Sequence, residues 1–479
     1  MYISWVPTKE VDVMYLPEQL KNEIKFSNSK ITFHFGSWNK EVSIEYKEDL
    51  PSNTIGLSHN LQLDVFIPDD LFYDVITTEN SISIGPVILY LVSKNLYKRL
   101  DLLFKRIKNN VSLNGLIIVS TVSRIDTHNR KIKGYYFKPK TESKLATWKS
   151  GIFQYPGAIF KRVSVPISIN EHLIQMTKGG VFNSRFFNKW DIWEWLSPNT
   201  LIRNHLPDTQ EFNTIDQINS MLEIYSSVYL KPIKGSQGKG IIQVKRYENV
   251  FQVIDDKNRV STITDLKQHS LIKKVLKSKK RYMIQQGVPI EHHSRNVDFR
   301  MYVQKDATKK WKCSGLIARF GKPGSITTNL HHLDYLLQGK QAFEKIFGLN
   351  GEEAKLLEKK VVTICIKACE LLDEHGCYGD IAIDFIIDKE QHVWILEMNK
   401  RYGYKSFSIM EDQPLYGEII QNPFLYASAL AGFGVQNETK NEKPITKELD
   451  VESLDVQEHH NDEKQSEPVS LKAEHPLVE

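Results

Sequence analysis

The apolar positions of the chain fall into short runs of alternating or β-branched residues, broken at intervals by one long helical stripe. ITFHF, EVSIEY and LQLDVFI, separated by Ser, Asn, Gly and Pro, read as strands, and the first eighty residues form a β-rich unit. ILYLV then reads as a buried strand, Lys98 to Asn110 as a helix, and LIIVST, KGYYFKP and GAIFKRV as further strands. Strand, helix, strand makes a small α/β layer. Beyond it the pattern gives a helix ending near Trp195, strand VYLKP, a glycine loop and strand IIQVKR. A basic run, SLIKKVLKSKKR, reads as an exposed helix, followed by strands YMIQQ, DFRMYVQ and WKCSGLIARF. Glu352 to Asp373 is the clearest helix, with Leu356, Leu357, Val361, Ile364 and Ala368 assigned to one face. Strands DIAIDFIID and HVWILEMN close the fold. From about Val435 no aromatic residue occurs and charge dominates, which predicts a disordered tail.

Length and charge sharpen this picture. At 479 residues the chain is long enough for two to four domains, and 41% hydrophobic with 25% charged residues is a globular composition. The opening residues Met1 to Glu10 carry Pro7, Lys9 and Glu10, unlike a secretory leader, and no stretch approaches a membrane span. A cytoplasmic protein without a membrane span is expected. The net charge of +5 divides unevenly: twelve acids against five lysines after residue 435 put the tail near −7, which leaves +12 on the body (5 + 7). The body's lysines are scattered and lack a reader motif, so a phosphate-rich small ligand is favoured over nucleic acid. Cys313, Cys365, Cys369 and Cys377 contain no CxxC pair; Cys365 and Cys369 read as small core residues.

Candidate chemistry concentrates in two places. Asp384 lies in the apolar run IAIDFII, and Glu397 and Asn399 lie in WILEMN, with the turn Asp388–Gln391 between them. Glu397 and Asn399 are two apart, so on a strand they share a face; a hairpin register that sets Asp384 opposite them makes three oxygen ligands converge. Two carboxylates and a carboxamide suit Mg²⁺, with Mn²⁺ as a substitute, completed by phosphate oxygens. These residues otherwise read as polar strand ends, but a carboxylate buried among apolar neighbours needs a partner. The second place is VYLKPIKGSQGKGI, where Lys231 ends a strand and Gly235, Ser236, Gly238 and Gly240 follow. Glycines let backbone N–H groups approach phosphate oxygens, and Lys231 supplies a point charge. Alone, such a loop is more often a plain hairpin, and no Gly-Lys-Ser/Thr ends it.

Taken in order, these motifs resemble the ATP-grasp enzymes: a helix lysine, a lysine before a glycine loop, a hinge strand, a phosphate-facing arginine, then Asp and Glu-x-Asn. More narrowly, IGPV, YPGAIFKR, FFNKW, KPIKGSQGKGI, DFRMYVQ, TTNL and WILEMNKR resemble the endospore-coat-associated YheC/YheD-type proteins, over roughly residues 80 to 430. The resemblance implies an α+β ATP-grasp fold: a β-rich unit over 1–80, an α/β pre-grasp unit over 81–168, the ATP-grasp domain over 169–433 and an acidic tail over 434–479. It implies ATP and Mg²⁺ as ligands, with Asp384, Glu397 and Asn399 on the metal and Lys189 and Lys231 on the phosphates. Gln285, Gln286 and Val288 would take the adenine, Glu291 the ribose, and Asn329 a further polar contact. Arg300 and Arg319 would face the reacting carboxylate of an ADP-forming carboxylate–amine ligase. A spore-coat association, with coat proteins as partners, is implied too, and with it the alternative of a non-catalytic, ATP-binding scaffold. Two positions depart from many such ligases: Ala382 stands where an arginine is common, and Lys400-Arg401-Tyr402-Gly403 replaces a small-Pro-Gly turn.

Because the tail contributes few apolar groups, truncation at Asn437 is expected to leave the thermal midpoint unchanged, measured by differential scanning calorimetry; a fall of several degrees would show that it docks on the core.

Overall fold

The computed structural model describes residues 1–434 except 109–111, 139–146, 236–237, 289–290, 294, 327, 329–330, 405, 407–409 and 411, and only the backbone of Lys108 and Glu291. The tail therefore lies outside the described residues. Among the described residues four sheets follow one another in chain order. Strands from Tyr2–Val6 to Ser81–Gly85 form a seven-stranded mixed sheet. Strands from Val87–Leu91 to Val181–Phe182 form a second sheet of seven, with parallel pairs at its centre. A six-stranded antiparallel sheet runs from Thr209–Phe212 to Tyr282–Gln286, and a six-stranded sheet follows that includes Arg295–Lys305, Trp311–Gly321, Leu333–Gln338, Asp380–Ile387 and Val393–Asn399. No helix among the described residues is long and apolar enough to cross a membrane.

The last sheet positions the chemistry, and period-two alternation does the sorting. Along Arg295–Lys305, Phe299, Met301 and Val303 point one way and Asp298, Arg300, Tyr302 and Gln304 the other. Register carries both sets across the sheet: Phe299 pairs with Phe385 and Ala318, Arg300 with Asp384 and Ile317. The first set is buried against the helix Gly351–Asp373. Asn350 caps that helix, accepting from the Glu352 and Glu353 amides at 3.0 Å, and Glu353 returns the bond to the Asn350 N–H at 2.9 Å. The core-facing stripe is Leu357, Val361, Cys365, Ala368 and Leu372. Leu356, assigned above to this face, instead points outward at 68% exposure, since adjacent helical residues diverge by about 100°. Both Cys365 and Cys369 are buried in this core.

The sequence pattern overlooked the helix Gln413–Leu430, which contains Pro423. Proline removes one backbone donor, so the Ile419 carbonyl four residues earlier loses its helical partner. Gln304 Nε2 supplies the replacement at 2.9 Å, tying this helix to the sheet. The basic run forms a helix only over Ser270–Leu276, with Ile272 and Val275 buried; the remaining lysines are in the following turn.

Leu357→Ala should lower unfolding free energy by about 2–5 kcal/mol, whereas Leu356→Ala should change it by under about 0.5 kcal/mol. Urea denaturation of the two variants checks the assignment of the face.

Candidate functional site

Asp384 lies centrally on the polar face of the last sheet. Arg300, directly opposite, donates Nε to Oδ1 at 2.7 Å and Nη2 to Oδ2 at 2.8 Å. Arg319 Nη2 approaches Oδ2 at 3.3 Å and forms a second forked pair with Asp298, at 2.7 and 2.5 Å. Burial alone would push the Asp384 carboxyl up; Arg300 and then Arg319 outweigh it and hold the group ionised, below the usual carboxylate range. On the other flank Glu397 pairs directly with Asp384 and Asn399 with Ala382, beside a bulge at Asp384/Phe385. Asn399 Nδ2 donates to Asp384 Oδ2 at 3.3 Å. The three oxygen-bearing side chains therefore share one face.

The lysines come from two other elements. Asn188 caps the helix Lys189–Leu196 in a capping box with Asp191, which sets Lys189 at its first turn. Lys189 Nζ lies 3.0 Å from the Gly235 carbonyl and 3.2 Å from Glu397 Oε1. It thus spans from the glycine loop to the carboxylate strand. Lys231 ends the strand Ser227–Pro232 and donates to Gln285 Oε1 at 2.5 Å; Gln285 Nε2 donates to Thr209 Oγ1 at 3.0 Å. Burial around its ammonium lowers the Lys231 pKa to about 8, with Glu397 raising it and Lys189 lowering it further. In the loop, Gly240 has a φ of +79°, left-handed backbone that suits glycine, and its N–H donates to Asp256 Oδ2 at 2.6 Å.

The strand Tyr282–Gln286, expected as the hinge, is interior to its sheet, pairing with Thr209–Phe212 on one side and Ser227–Pro232 on the other. Gln286 N–H donates to the Asp208 carbonyl at 2.7 Å, and its Oε1 accepts from the Asp208 N–H at 3.0 Å. Gly287 N–H reaches the Ser227 carbonyl at 2.8 Å, and a Cβ there would lie 2.0 Å from Ser227 Oγ. Val288 follows, half-buried, outside the ladder. Ser236, Asn329 and the Glu291 side chain lie outside the described residues.

A family model described as "YheC/D like ATP-grasp" matches residues 178–430, more than half of the chain. The chain belongs to this ATP-grasp family. Its fold is accordingly the α+β ATP-grasp fold. Endospore coat-associated protein YheD of Bacillus subtilis (strain 168) is 23% identical over 449 residues, covering 88% of this chain and 94% of that protein. Endospore coat-associated protein YheC of the same organism is 25% identical over 225 residues, 46% of this chain and 61% of that one. Among solved structures, the VanG D-Ala:D-Ser ligase from Enterococcus faecalis aligns with a TM-score of 0.43 at 12% identity, covering 72% of this chain and 98% of that one.

Two residues in contact with this set were missed by sequence reasoning. Asp298 is the counter-ion of Arg319; its signal was the two-residue spacing from Arg300 in DFR, which puts both on one strand face. Lys400 follows Asn399 and donates to the Phe187 carbonyl next to the Asn188 cap. Burial lowers its pKa to about 8, against the opposing pull of Glu397. For metal chemistry, the donor set fits a hard divalent cation. Glu397 Oε2 and Asn399 Oδ1 have no hydrogen-bond partner among the described residues, and Asp384 Oδ1 carries one bond. No cluster of three His, Cys, Asp or Glu was found among them; this set is two carboxylates and a carboxamide.

Lys231 makes pH a probe of the cleft. Its ordinary value is 10.5, so between about 8 and 10.5 the folded protein holds fewer protons than the unfolded chain, and stability rises with pH across that window. Wild type should gain stability relative to Lys231→Met between about pH 7.5 and about pH 9.5 in chemical denaturation. A constant difference between the two proteins would refute the lowered pKa.

Proposed function

We propose that the chain binds Mg-ATP in this cleft and uses it to join a carboxylate to an amine, releasing ADP. The observation that carries the reading is Lys189, whose ammonium touches both the glycine-loop carbonyl of Gly235 and the Glu397 carboxylate. The glycine loop and the Asp–Glu–Asn face thus border one cleft, as a polyphosphate carrying a divalent cation requires. Lys189, Lys231 and the amides of Gly235 and Gly238, with Ser236, hold phosphates, while Gly240, whose N–H is taken by Asp256, shapes the turn of the loop. Gln285, Gln286 and Val288 border the base, with Glu291 at the ribose and Asn329 a further contact. Asp384, Glu397 and Asn399 would hold Mg²⁺ or Mn²⁺, which when bound neutralises phosphate charge. Arg300 and Arg319 stabilise the charge that develops as the substrate carboxylate takes the γ-phosphoryl group; the amine then displaces phosphate from the acyl phosphate. Association with the spore coat is proposed from the names of the two relatives.

A second reading has one observation in its favour. Ala382, where many such ligases carry arginine, is fully buried opposite Tyr302 and Asn399, so no further cation can enter there without repacking. That favours an ATP-binding scaffold of the coat without turnover.

Thermal shift separates binding from no binding, and ADP release separates enzyme from scaffold. Mg-ATP should raise the melting midpoint by mass action, equivalent to about 2.7 kcal/mol at a hundredfold excess over Kd. Glu397→Gln should remove most of the magnesium-dependent part. It is a cleaner probe than Asp384→Asn, which would leave two buried guanidiniums short of a counter-ion. Equal wild-type shifts with and without Mg²⁺ would remove the metal assignment. Arg300→Ala or Arg319→Ala should cut substrate-dependent ADP formation by about 10²–10³ with a modest loss of ATP affinity. Tight Mg-ATP binding with no ADP above the buffer rate, across amino acids, peptides and cell-wall fragments, would favour the scaffold.

A further inference from the structure

A second ion pair lies on the same sheet face, one step deeper. Arg162 follows the strand Ala158–Lys161 of the second sheet and is 7% exposed; Asp380, which opens the strand carrying Asp384, is 0% exposed. Arg162 Nη1 donates to Asp380 Oδ2 at 2.9 Å and to the Tyr404 hydroxyl at 2.6 Å, and Nη2 donates to the Tyr402 carbonyl at 2.5 Å. The other Asp380 oxygen accepts from Gln304 Nε2 at 2.8 Å and from the Tyr402 hydroxyl. A buried, fully bonded pair of this kind adds little net stability over apolar packing, because desolvation offsets attraction; its best-attested use is to fix one arrangement.

What it fixes follows from the hairpin. Asp380 lies four residues before Asp384, and Tyr402 three residues after Asn399. One guanidinium therefore grips both chain segments at the open end of the hairpin that carries Asp384, Glu397 and Asn399. The ladder between the two strands stops at the Ala382–Asn399 pair, so Asn399 is the last residue held by strand pairing and the chain after it is not. The following loop is held from outside the hairpin instead. Asn183 Nδ2 donates to the Lys400 carbonyl at 3.4 Å and to the Asp380 carbonyl at 3.1 Å, Lys400 Nζ reaches the Phe187 carbonyl, and Arg162 takes Tyr402. These anchors come from residues 162–187, before the glycine loop in sequence.

We propose that Arg162 is a positioning residue for the metal side of the cleft: by clamping Asp380 and the Tyr402 backbone together it sets Asn399 and Glu397 against Asp384. Hard-oxygen ligands need placement to within about 0.5 Å, which a frayed hairpin end does not provide. The proposal rests on the Mg-ATP reading above and deepens it, since it makes the second sheet part of the metal site.

The test is a magnesium titration of the full chain in the presence of ATP, read by thermal shift, with Mn²⁺ binding by electron paramagnetic resonance in parallel. Arg162→Met/Asp380→Asn removes both charges together and keeps an acceptor for Gln304 and Tyr402. It should retain the metal-free ATP shift while its Mg²⁺ midpoint and Mn²⁺ dissociation constant rise at least about tenfold. Should that variant not fold, Arg162→Lys serves. It keeps the charge on Asp380, but one ammonium cannot copy the guanidinium's fork, and the same rise in Mg²⁺ midpoint is expected. Unchanged metal affinity in a folded variant overturns the positioning role and leaves the Mg-ATP reading standing. No magnesium dependence in the wild type overturns both.

Discussion

A carboxylate cannot remain ionised inside a sheet unless cations stand against it, and Asp384 imposes that condition on everything around it. Arg300 meets it with a two-point fork, and Arg319 adds a longer contact at 3.3 Å. Two guanidiniums against one carboxylate would leave an uncompensated buried charge, so Asp298 balances Arg319. Two acids and two arginines then sum to zero on one face. Such a cluster tolerates little movement, because its two forked pairs are short and directional. The reverse face supplies the stiffness: Phe299, Met301, Phe385 and Ile383 pack on the long helix, whose stripe of Leu357, Val361, Cys365 and Ala368 is buried throughout.

The polar face extends this logic along the strand. Asp380 with Arg162 and Asp384 with Arg300 are separated by four residues, about 13 Å at strand rise, with Ala382 and Tyr302 between them. The two pairs differ in what they join. Arg300 and Asp384 sit on neighbouring strands of one sheet. Arg162 comes from another sheet, and its network reaches through Gln304 to the carbonyl that Pro423 leaves unbonded. The proline within the terminal helix is thus no defect; it frees an acceptor for which the buried glutamine is the donor.

These same features mark where sequence reading succeeds and fails. The strands bearing Asp384, Glu397 and Asn399 were legible because apolar runs flank isolated polar residues, and the long helix because its stripe repeats over about four turns. Leu356 was misplaced because two adjacent leucines cannot share a face, and pattern alone does not say which one turns out. The terminal helix was missed because Pro423 reads as a breaker, and its compensation by Gln304 lies 119 residues away in sequence. The candidate site residues were named singly from motif order. That Lys189 would bridge Gly235 and Glu397, or Arg319 need Asp298, depends on side-chain reach across elements, which spacing along the chain does not encode.

The lysines of the cleft complete the electrostatic account. Lys189, Lys231 and Lys400 all feel the single carboxylate of Glu397, and burial holds two of them near a pKa of 8. Lys189 opposes the charge on both Lys231 and Lys400; Glu397 and, for Lys400, Asp191 offset it in part, and incoming negative charge or proton release relieves the rest. The arginine face is neutralised from within; the lysine side is not. On the proposed reading, a ligand with several negative charges along its length would be drawn to the Lys189–Lys231–Lys400 side, while its approach to Asp384 and Glu397 would need a cation of its own. That asymmetry, a cationic wall facing an acidic one whose charge is already partly spent on arginines, is on the same proposed reading what a magnesium-carrying polyphosphate would satisfy and a bare anion would not.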